Sequence, residues 1–264
     1  MPEQGNDTFT EIVCVIDRSG SMDTVKSDAI GGFNAFLKEQ QTLPGEAAMT
    51  VVMFDHDYLV PYSGVPIQNV NQLDYSSYVP RGTTALNDAI GRAISELKCR
   101  NPKKAIIMIL TDGHENASSE FKKCQIKDMI KDCEDRGWFV AYLSATLEAF
   151  DDARSYGIGR GQTASYQNTG AGVFNMMATA SLATTDYRGG GTQCMSNMTS
   201  YSTSASNLVS QGWGQGWGQG WGTTPTVQSY TDAANTANAT TSAIGSSAQG
   251  SHHSKKKRNI PGDN

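Results

Sequence analysis

The residues 17–22 constrain the fold more than any other stretch of this chain. They read Asp-Arg-Ser-Gly-Ser-Met and follow the apolar run 12–16, which predicts a buried strand of a parallel sheet. A segment of helical period comes after them. The pattern therefore predicts that Asp17, Ser19 and Ser21 lie on the loop at the carboxyl end of a strand, where open α/β sheets bind ligands.

One carboxylate and two hydroxyls at alternate positions can converge on a single point, and Gly20 lets the backbone turn between them. All of these donors are hard oxygens, which suit Mg²⁺, Mn²⁺ or Ca²⁺ rather than zinc. Asp and Ser also favour helix starts for ordinary capping reasons. These six residues alone therefore leave a cation site and a helix cap equally open.

Two later stretches favour the cation site. Residues 81–86 read Arg-Gly-Thr-Thr-Ala-Leu and open a predicted helix, and Thr111-Asp112-Gly113 closes the apolar run 105–110. Each stretch adds oxygen side chains at a strand end or a helix start. In a parallel sheet such ends meet at one edge, so the three stretches are expected to lie together.

The three stretches together resemble the metal-ion-dependent adhesion site of the von Willebrand factor type A family. That pattern is Asp-x-Ser-x-Ser, then a Thr after a Gly-rich turn, then the Asp of Thr-Asp-Gly. The resemblance assigns five metal ligands, which are Asp17, Ser19, Ser21, Thr84 and Asp112. The family often has Gly-Gly-Thr where this chain has Gly82-Thr83-Thr84, so Thr83 remains an alternative to Thr84. The stretches 111–118 and 138–188 are also similar to the bacterial and phage-borne, intracellular branch of the family.

The resemblance implies a protein-binding module and not an enzyme. Ser19, Ser21 and Thr84 would give neutral oxygens to Mg²⁺ or Mn²⁺, and the two carboxylates would act through bridging water. A Glu or Asp of a partner protein would fill the open position. Intracellular members often work beside AAA-type ATPases or within larger assemblies, which gives a candidate partner.

Two other functions remain open from the residues. A structural, surface-display or adhesion protein would use the same domain for presentation. A metal-assisted phosphoesterase is less favoured, because the chain has no Gly-x-x-x-x-Gly-Lys loop and no nucleophile elbow.

Alternation of apolar runs with helical segments predicts a doubly wound, Rossmann-like α/β domain with a mostly parallel sheet of about six strands. The predicted strands are 12–16, 47–54, 58–62, 104–110, 138–143 and 162–166. The predicted helices are 24–41, 84–97, 118–136, 147–156 and 172–187. Asp55-His56-Asp57 predicts a tight turn in an antiparallel hairpin at the sheet edge, with His56 as a turn residue and not a ligand.

Composition limits the compartment and the partners. The formal net charge is −5, and only four basic and two acidic residues follow Arg188, so the first 188 residues carry −7. An acidic domain argues against a nucleic-acid partner. The five cysteines form no Cys-x-x-Cys pair, the first residues are polar and acidic, and no apolar run approaches membrane-spanning length. We expect a cytoplasmic protein with reduced thiols and no membrane contact.

The composition changes after Arg188, which predicts a division into a domain at 1–188 and a disordered low-complexity tail at 189–264. Ser, Thr, Gly, Gln, Asn and Ala dominate the tail, so it buries too little apolar surface to offset its chain entropy. A Gly-Trp-Gly-Gln repeat places Trp213, Trp217 and Trp221 four residues apart, either as contacts for a partner or within a neutral spacer. The basic run 255–258 is interpreted as a solvated end.

Overall fold

Six strands form one sheet in the order β3-β2-β1-β4-β5-β6. The computed structural model describes residues 9–145, 148–192, 197–198 and 200–212. The strands are β1 (Thr10–Asp17), β2 (Ala47–Phe54), β3 (Tyr58–Pro66), β4 (Ala105–Thr111), β5 (Phe139–Ser144) and β6 (Thr163–Ser165). The doubly wound α/β architecture predicted from the sequence is confirmed.

Every neighbouring pair of strands is parallel except β2 and β3, which are antiparallel. The hairpin predicted at the sheet edge is therefore confirmed. Its second strand is longer than predicted, because β3 runs to Pro66 and a short 3₁₀ turn at Ile67–Asn69 follows it. The parallel order brings the carboxyl ends of β1, β4 and β5 to the same edge of the sheet.

The helices among the described residues are α1 (Lys26–Thr42), α2 (Leu86–Arg100), α3 (Lys123–Asp135), α4 (Ala149–Ser155), α5 (Gly170–Arg188) and α6 (Ser200–Ser210). A 3₁₀ segment at Gly20–Val25 precedes α1, and another at Arg160–Gln162 precedes β6. None of the helices in this part of the chain is long and apolar enough to cross a membrane.

Alternation along β1 divides the core into two layers. Ile12, Cys14 and Ile16 pack on one face of the sheet with α1, α5 and α6. Val13 and Val15 pack on the other face with α2, α3 and α4. Because every residue of β1 is buried, the strand appears in the sequence as a continuous apolar run and not as an alternating one.

Helix α3 begins later than the sequence predicted. The expected cap was Ser118 or Ser119, but the helix starts at Lys123. The backbone N–H groups of Ser119, Glu120 and Phe121 instead donate to the carboxylate of Asp88 in α2 at 2.8–3.0 Å. This interaction holds the residues before α3 as a loop, which a prediction from local sequence does not include.

Helix α6 corrects the predicted extent of the disordered tail. It lies within the stretch 189–264, yet Tyr201, Ala205 and Leu208 are buried in the same core layer as α1 and α5. Met198, just before the helix, is also buried there. The prediction of disorder is therefore wrong for residues 200–210, whose apolar side chains find a surface on α5. The Trp repeat and the basic run 255–258 lie outside the described residues.

The four cysteines in the described part of the chain are free thiols. Cys14 and Cys133 are buried, and Cys99 and Cys124 are exposed. Burial raises the pKa of the Cys133 thiol to about 12 and raises the pKa of Cys14 further. Both buried thiols therefore stay protonated and act as small apolar groups of the core.

Candidate metal centre

Asp17 is the last residue of β1, and its carboxylate has no exposed surface. Its Oδ1 accepts a hydrogen bond from the backbone N–H of Ser19 at 2.7 Å. Its Oδ2 accepts one from the Thr111 hydroxyl, at the end of β4, at 2.6 Å. The sequence placed Asp17 on the loop, but the structure places it at the base of a recess between two strand ends.

Ser19, Ser21 and Asp112 continue the cluster outward from Asp17. The two serine hydroxyls lie 3.0 Å apart, and the Ser21 hydroxyl donates to Oδ1 of Asp112 at 2.7 Å. Ser19 is buried and Ser21 is exposed, so the hydroxyls run from the interior to the surface. The loops after β1 and β4 therefore meet through these side chains, as the sequence predicted.

Thr84 brings the third loop to the same point. A Cβ atom placed on Gly113 would lie 3.3 Å from the Thr84 hydroxyl, 3.8 Å from that of Ser21 and 3.9 Å from Oδ2 of Asp17. These three oxygens, two from the end of β1 and the loop after it and one from the loop before α2, thus surround the space beside Gly113 in the loop after β4. Thr84 is buried with its hydroxyl on this space, whereas Thr83 is exposed.

Asn116 fixes the backbone of Thr84, and the sequence analysis missed this residue. Its side-chain Oδ1 accepts from the Thr84 N–H at 2.9 Å, and its own N–H donates to the Thr84 carbonyl at 3.0 Å. The neighbouring Glu115 carboxylate accepts from the N–H groups of Asn87, Ala117 and Ser118. These contacts tie the loop after Asp112 to the start of α2. An Asn four residues after the Asp carries no local pattern that would have indicated this role.

Two carboxylates, those of Asp17 and Asp112, share the centre. Burial raises the pKa of Asp17 to about 6; the hydrogen bonds from Thr111 and Ser19 lower it, and the nearby Asp112 raises it. Burial also raises the pKa of Asp112, against hydrogen bonds from Ser21 and Asn168 that lower it. Within the described residues, no Lys or Arg forms an ion pair with either carboxylate. The centre therefore favours a bound positive charge.

The turn that leads to Thr84 requires glycine at position 82. Gly82 has φ +65°, and a Cβ there would lie 2.1 Å from Nδ1 of His56. Its carbonyl accepts from the N–H of Gly20 at 3.2 Å, and the N–H of Arg81 donates to the Arg18 carbonyl at 2.8 Å. These two backbone hydrogen bonds hold the loop before α2 against the loop after β1. They thereby position Thr84 beside Ser19 and Ser21.

A second group of side chains, Asp55, His56 and Asp57, is also consistent with metal binding, because each offers one ligand atom within 4.8 Å of the others. The buried Asp55 carboxylate, however, lies 3.0 Å from Nε of Arg81 and 3.1 Å from Nε of Arg18. The Arg81 contact is a hydrogen bond, and the Arg18 contact is an ion pair without hydrogen-bond geometry. Two guanidinium groups already offset the negative charge of this carboxylate, whereas Asp17 and Asp112 have no such ion pair among the described residues.

Comparison with known proteins supports the fold assignment. Residues 12–115 match the family model described as the von Willebrand factor type A domain. Two similar solved structures are proximal thread matrix protein 1 from the mussel byssus, with 15% identity and a TM-score of 0.50, and the PilB minor pilin from Streptococcus sanguinis, with 13% identity and a TM-score of 0.50. The alignments cover 67% and 70% of this chain, and only 46% and 63% of those chains. At these identities the likeness shows the fold alone.

No curated protein matches this chain in sequence. The chain spans less than two thirds of the length of the two solved structures. The segment matched by the family model contains all five predicted metal ligands. Residues 12–115, less than half of this chain, are therefore similar to the von Willebrand factor type A domain.

Proposed function

We propose that the chain is a metal-dependent protein-binding module that captures a carboxylate of a partner through Mg²⁺ or Mn²⁺. The ligands are the five predicted residues, which are Asp17, Ser19, Ser21, Thr84 and Asp112. The observation that carries the proposal is the convergence of oxygen side chains from three loops on the space beside Gly113. These loops are separated by more than 25 residues of sequence, so local capping does not explain their meeting.

The donor set fits a hard divalent cation. Every side chain at the centre offers oxygen, and no Cys or His belongs to the set, which argues against zinc. The two carboxylates supply two negative charges that no basic side chain among the described residues offsets. Asp17 and Asp112 are already hydrogen-bonded in place by Thr111, Ser19 and Ser21, so little side-chain entropy is lost on binding.

The proposed division of roles is the one that the family resemblance implies. Ser19, Ser21 and Thr84 direct neutral oxygens into the recess, while the carboxylates hold the charge around it. A bound divalent cation supplies the positive charge that an incoming carboxylate recognises. Because Ser21 and Asp112 lie at the accessible side of the recess, an acidic side chain of a partner can approach there.

The proposed partner is a protein that presents Glu or Asp, and an AAA-type ATPase or a larger assembly is the candidate implied by the family resemblance. The carboxylate would be the hot spot of the interface, since its loss removes the contact that depends on the cation. A display or adhesion role would use the same centre with an extracellular or surface ligand.

Calorimetric titration of the full chain with Mg²⁺ and Mn²⁺ tests the site. Asp17→Asn and Asp112→Asn should abolish binding while leaving the circular dichroism spectrum and a cooperative melt unchanged. Asp74→Asn is the matched control, because Asp74 is an exposed carboxylate bonded only within its own loop, to residues 76 and 77. Binding of either cation by both centre variants with wild-type affinity would refute the assignment.

A pull-down from the host tests the partner. The wild-type chain and Asp112→Asn should be compared as baits in Mg²⁺ and in EDTA. We expect a protein retained only by the wild-type bait in Mg²⁺, and substitution of one of its acidic residues should release it. A partner retained equally in EDTA, or by the variant, would contradict metal-dependent capture.

A further inference from the structure

A second concave site lies beside α4, outside the candidate metal centre. A cavity of about 320 Å³ opens between α4 and the loop that leads to β6. None of the five candidate metal ligands lines this cavity. Its volume is at the lower end of the range for small-molecule pockets, which is about 300–1,000 Å³.

Two arginines of this cavity, Arg154 and Arg160, have no anionic partner in the described part of the chain. Among the described residues, five other arginines pair with carboxylates, and the sixth, Arg188, donates to backbone carbonyls. Arg154 and Arg160 form neither kind of contact there, although the chain carries a net charge of −5. Unpaired guanidinium groups in an acidic protein, both lining one cavity, indicate a site for an external oxyanion.

The guanidinium of Arg160 is held in place by an aromatic ring. Its Cζ lies 5.0 Å from the centroid of Phe150, within cation–π range. This contact restrains the guanidinium, and its N–H donors can still bind an acceptor in the cavity. Ile158, which is 2% exposed, adds apolar surface to the cavity wall.

The charge around the cavity is positive on balance. The stem of Lys127 in α3 packs at the cavity rim, 3.2 Å from the position of a Cβ on Gly157. Asp151 also lines the cavity and is the opposing charge. Three cationic side chains against one carboxylate match a doubly charged oxyanion better than a singly charged one.

We propose that this cavity binds a small phosphate monoester that carries a ring, with the phosphate on Arg154 and Arg160 and the ring against Phe150 and Ile158. The site does not use the divalent cation, because none of the five candidate metal ligands lines the cavity. A negative result for phosphate binding would therefore not contradict the proposed metal-dependent function, and the two proposals are tested separately.

Isothermal titration of the full chain in EDTA, with phenyl phosphate, inorganic phosphate and phenol as probes, tests the site. Phenyl phosphate should bind more tightly than inorganic phosphate, and phenol should not bind measurably. Arg154→Gln and Arg160→Gln should each weaken phenyl phosphate at least tenfold, since each removes a charged hydrogen-bond donor. Asp151→Asn should strengthen it several-fold, because the opposing charge is lost.

Lys38→Gln is the charge-matched control, because Lys38 lies on α1, which packs on the other face of the sheet. It should bind phenyl phosphate as the wild type does. With ¹⁵N-labelled protein, the amide shifts of Gly157 and Gly159 should move on titration and those of Gly113 should not. No binding in EDTA, equal loss in Lys38→Gln, or weakening by Asp151→Asn would overturn the proposal.

Discussion

Nδ2 of Asn168 donates a hydrogen bond to Oδ2 of Asp112 at 3.1 Å. Asn168 directly precedes Thr169, whose hydroxyl caps α5 by accepting from the N–H of Gly172 at 3.1 Å. The Asn168 side chain therefore joins the start of α5 to the candidate metal centre. The contact spans 56 residues of sequence.

Asn168→Ala should weaken Mg²⁺ binding about fivefold. The hydrogen bond favours the ionised and correctly oriented form of Asp112, and such a bond at a partly exposed carboxylate contributes about 1 kcal/mol. Calorimetry should compare it with Gln167→Ala, which removes the neighbouring exposed side chain and should bind normally. Equal affinities of the two variants would show that Asn168 does not position Asp112.

Thr84→Ala should weaken cation binding much more than Thr83→Ala. The Thr84 hydroxyl lies on the space beside Gly113, whereas Thr83 is exposed. Loss of one direct oxygen ligand is expected to reduce the affinity at least tenfold, and loss of Thr83 should change it less than twofold. If Thr83→Ala weakened binding more than Thr84→Ala in the same titration, the ligand would be Thr83 and not Thr84.

Cation affinity should fall as the pH is lowered through 6. Burial raises the folded-state pKa of Asp17 to about 6, above the ordinary value for Asp, so a proton competes with the cation below that pH. The raised pKa of Asp112 acts in the same direction. One pH unit below the pKa, only about one molecule in ten keeps the carboxylate ionised, so titrations at pH 7.5 and 5 should differ by about tenfold. Equal affinities at both values would contradict this.

Glu39→Gln should stabilise the protein at pH 8 and have little effect at pH 5. Oε1 of Glu39 is buried and has no hydrogen-bond partner among the residues that the structure describes, and burial raises the pKa of Glu39 to about 7. The folded state therefore binds more protons than the unfolded state between about pH 4.5 and 7, and stability falls as the pH rises through that window. We expect a gain of roughly 1–2 kcal/mol at pH 8 by thermal melting. Glu46→Gln, at an exposed site, should give no comparable gain at either pH.

Leu208→Ala in the full chain should reduce the free energy of unfolding by about 2 kcal/mol or more. Leu208 of α6 is buried against the core layer that contains α5, and truncating such a side chain leaves a cavity. Asn207→Ala changes the exposed neighbour and should cost much less. Limited proteolysis should accordingly cleave the chain after Ser210 and leave the segment between Arg188 and Ser210 intact. If both variants melt alike and cleavage reaches Arg188, then α6 does not pack in solution.

Local patterns determined most of the fold. Continuous apolar runs indicated strands β1, β2, β4 and β5, since buried parallel strands expose neither face. Helical spacing indicated α1, α2 and α5, and the turn at Asp55-His56-Asp57 indicated the antiparallel edge strand. Short-range signals suffice where each residue's environment follows from its own neighbours along the chain.

The sequence also indicated the five candidate ligands, and the structure brings their side chains together; that they bind a metal ion stays a prediction. Their positions could be predicted because the carboxyl ends of parallel strands lie at one edge of the sheet. The choice between Thr83 and Thr84 required the turn at Gly82, whose positive φ and contact with His56 set which hydroxyl turns inward. The burial of Asp17 likewise depends on Thr111, 94 residues away.

Tertiary contacts alone decided the rest. Asn116 and Asn168 act on Thr84 and Asp112 through hydrogen bonds between separate loops, and nothing in their own neighbourhoods marks them. The late start of α3 follows from Asp88 in another helix. Helix α6 forms in a Ser-rich stretch because α5 offers its few apolar side chains a surface, and composition measures how much apolar surface a segment has but not whether a partner for it exists.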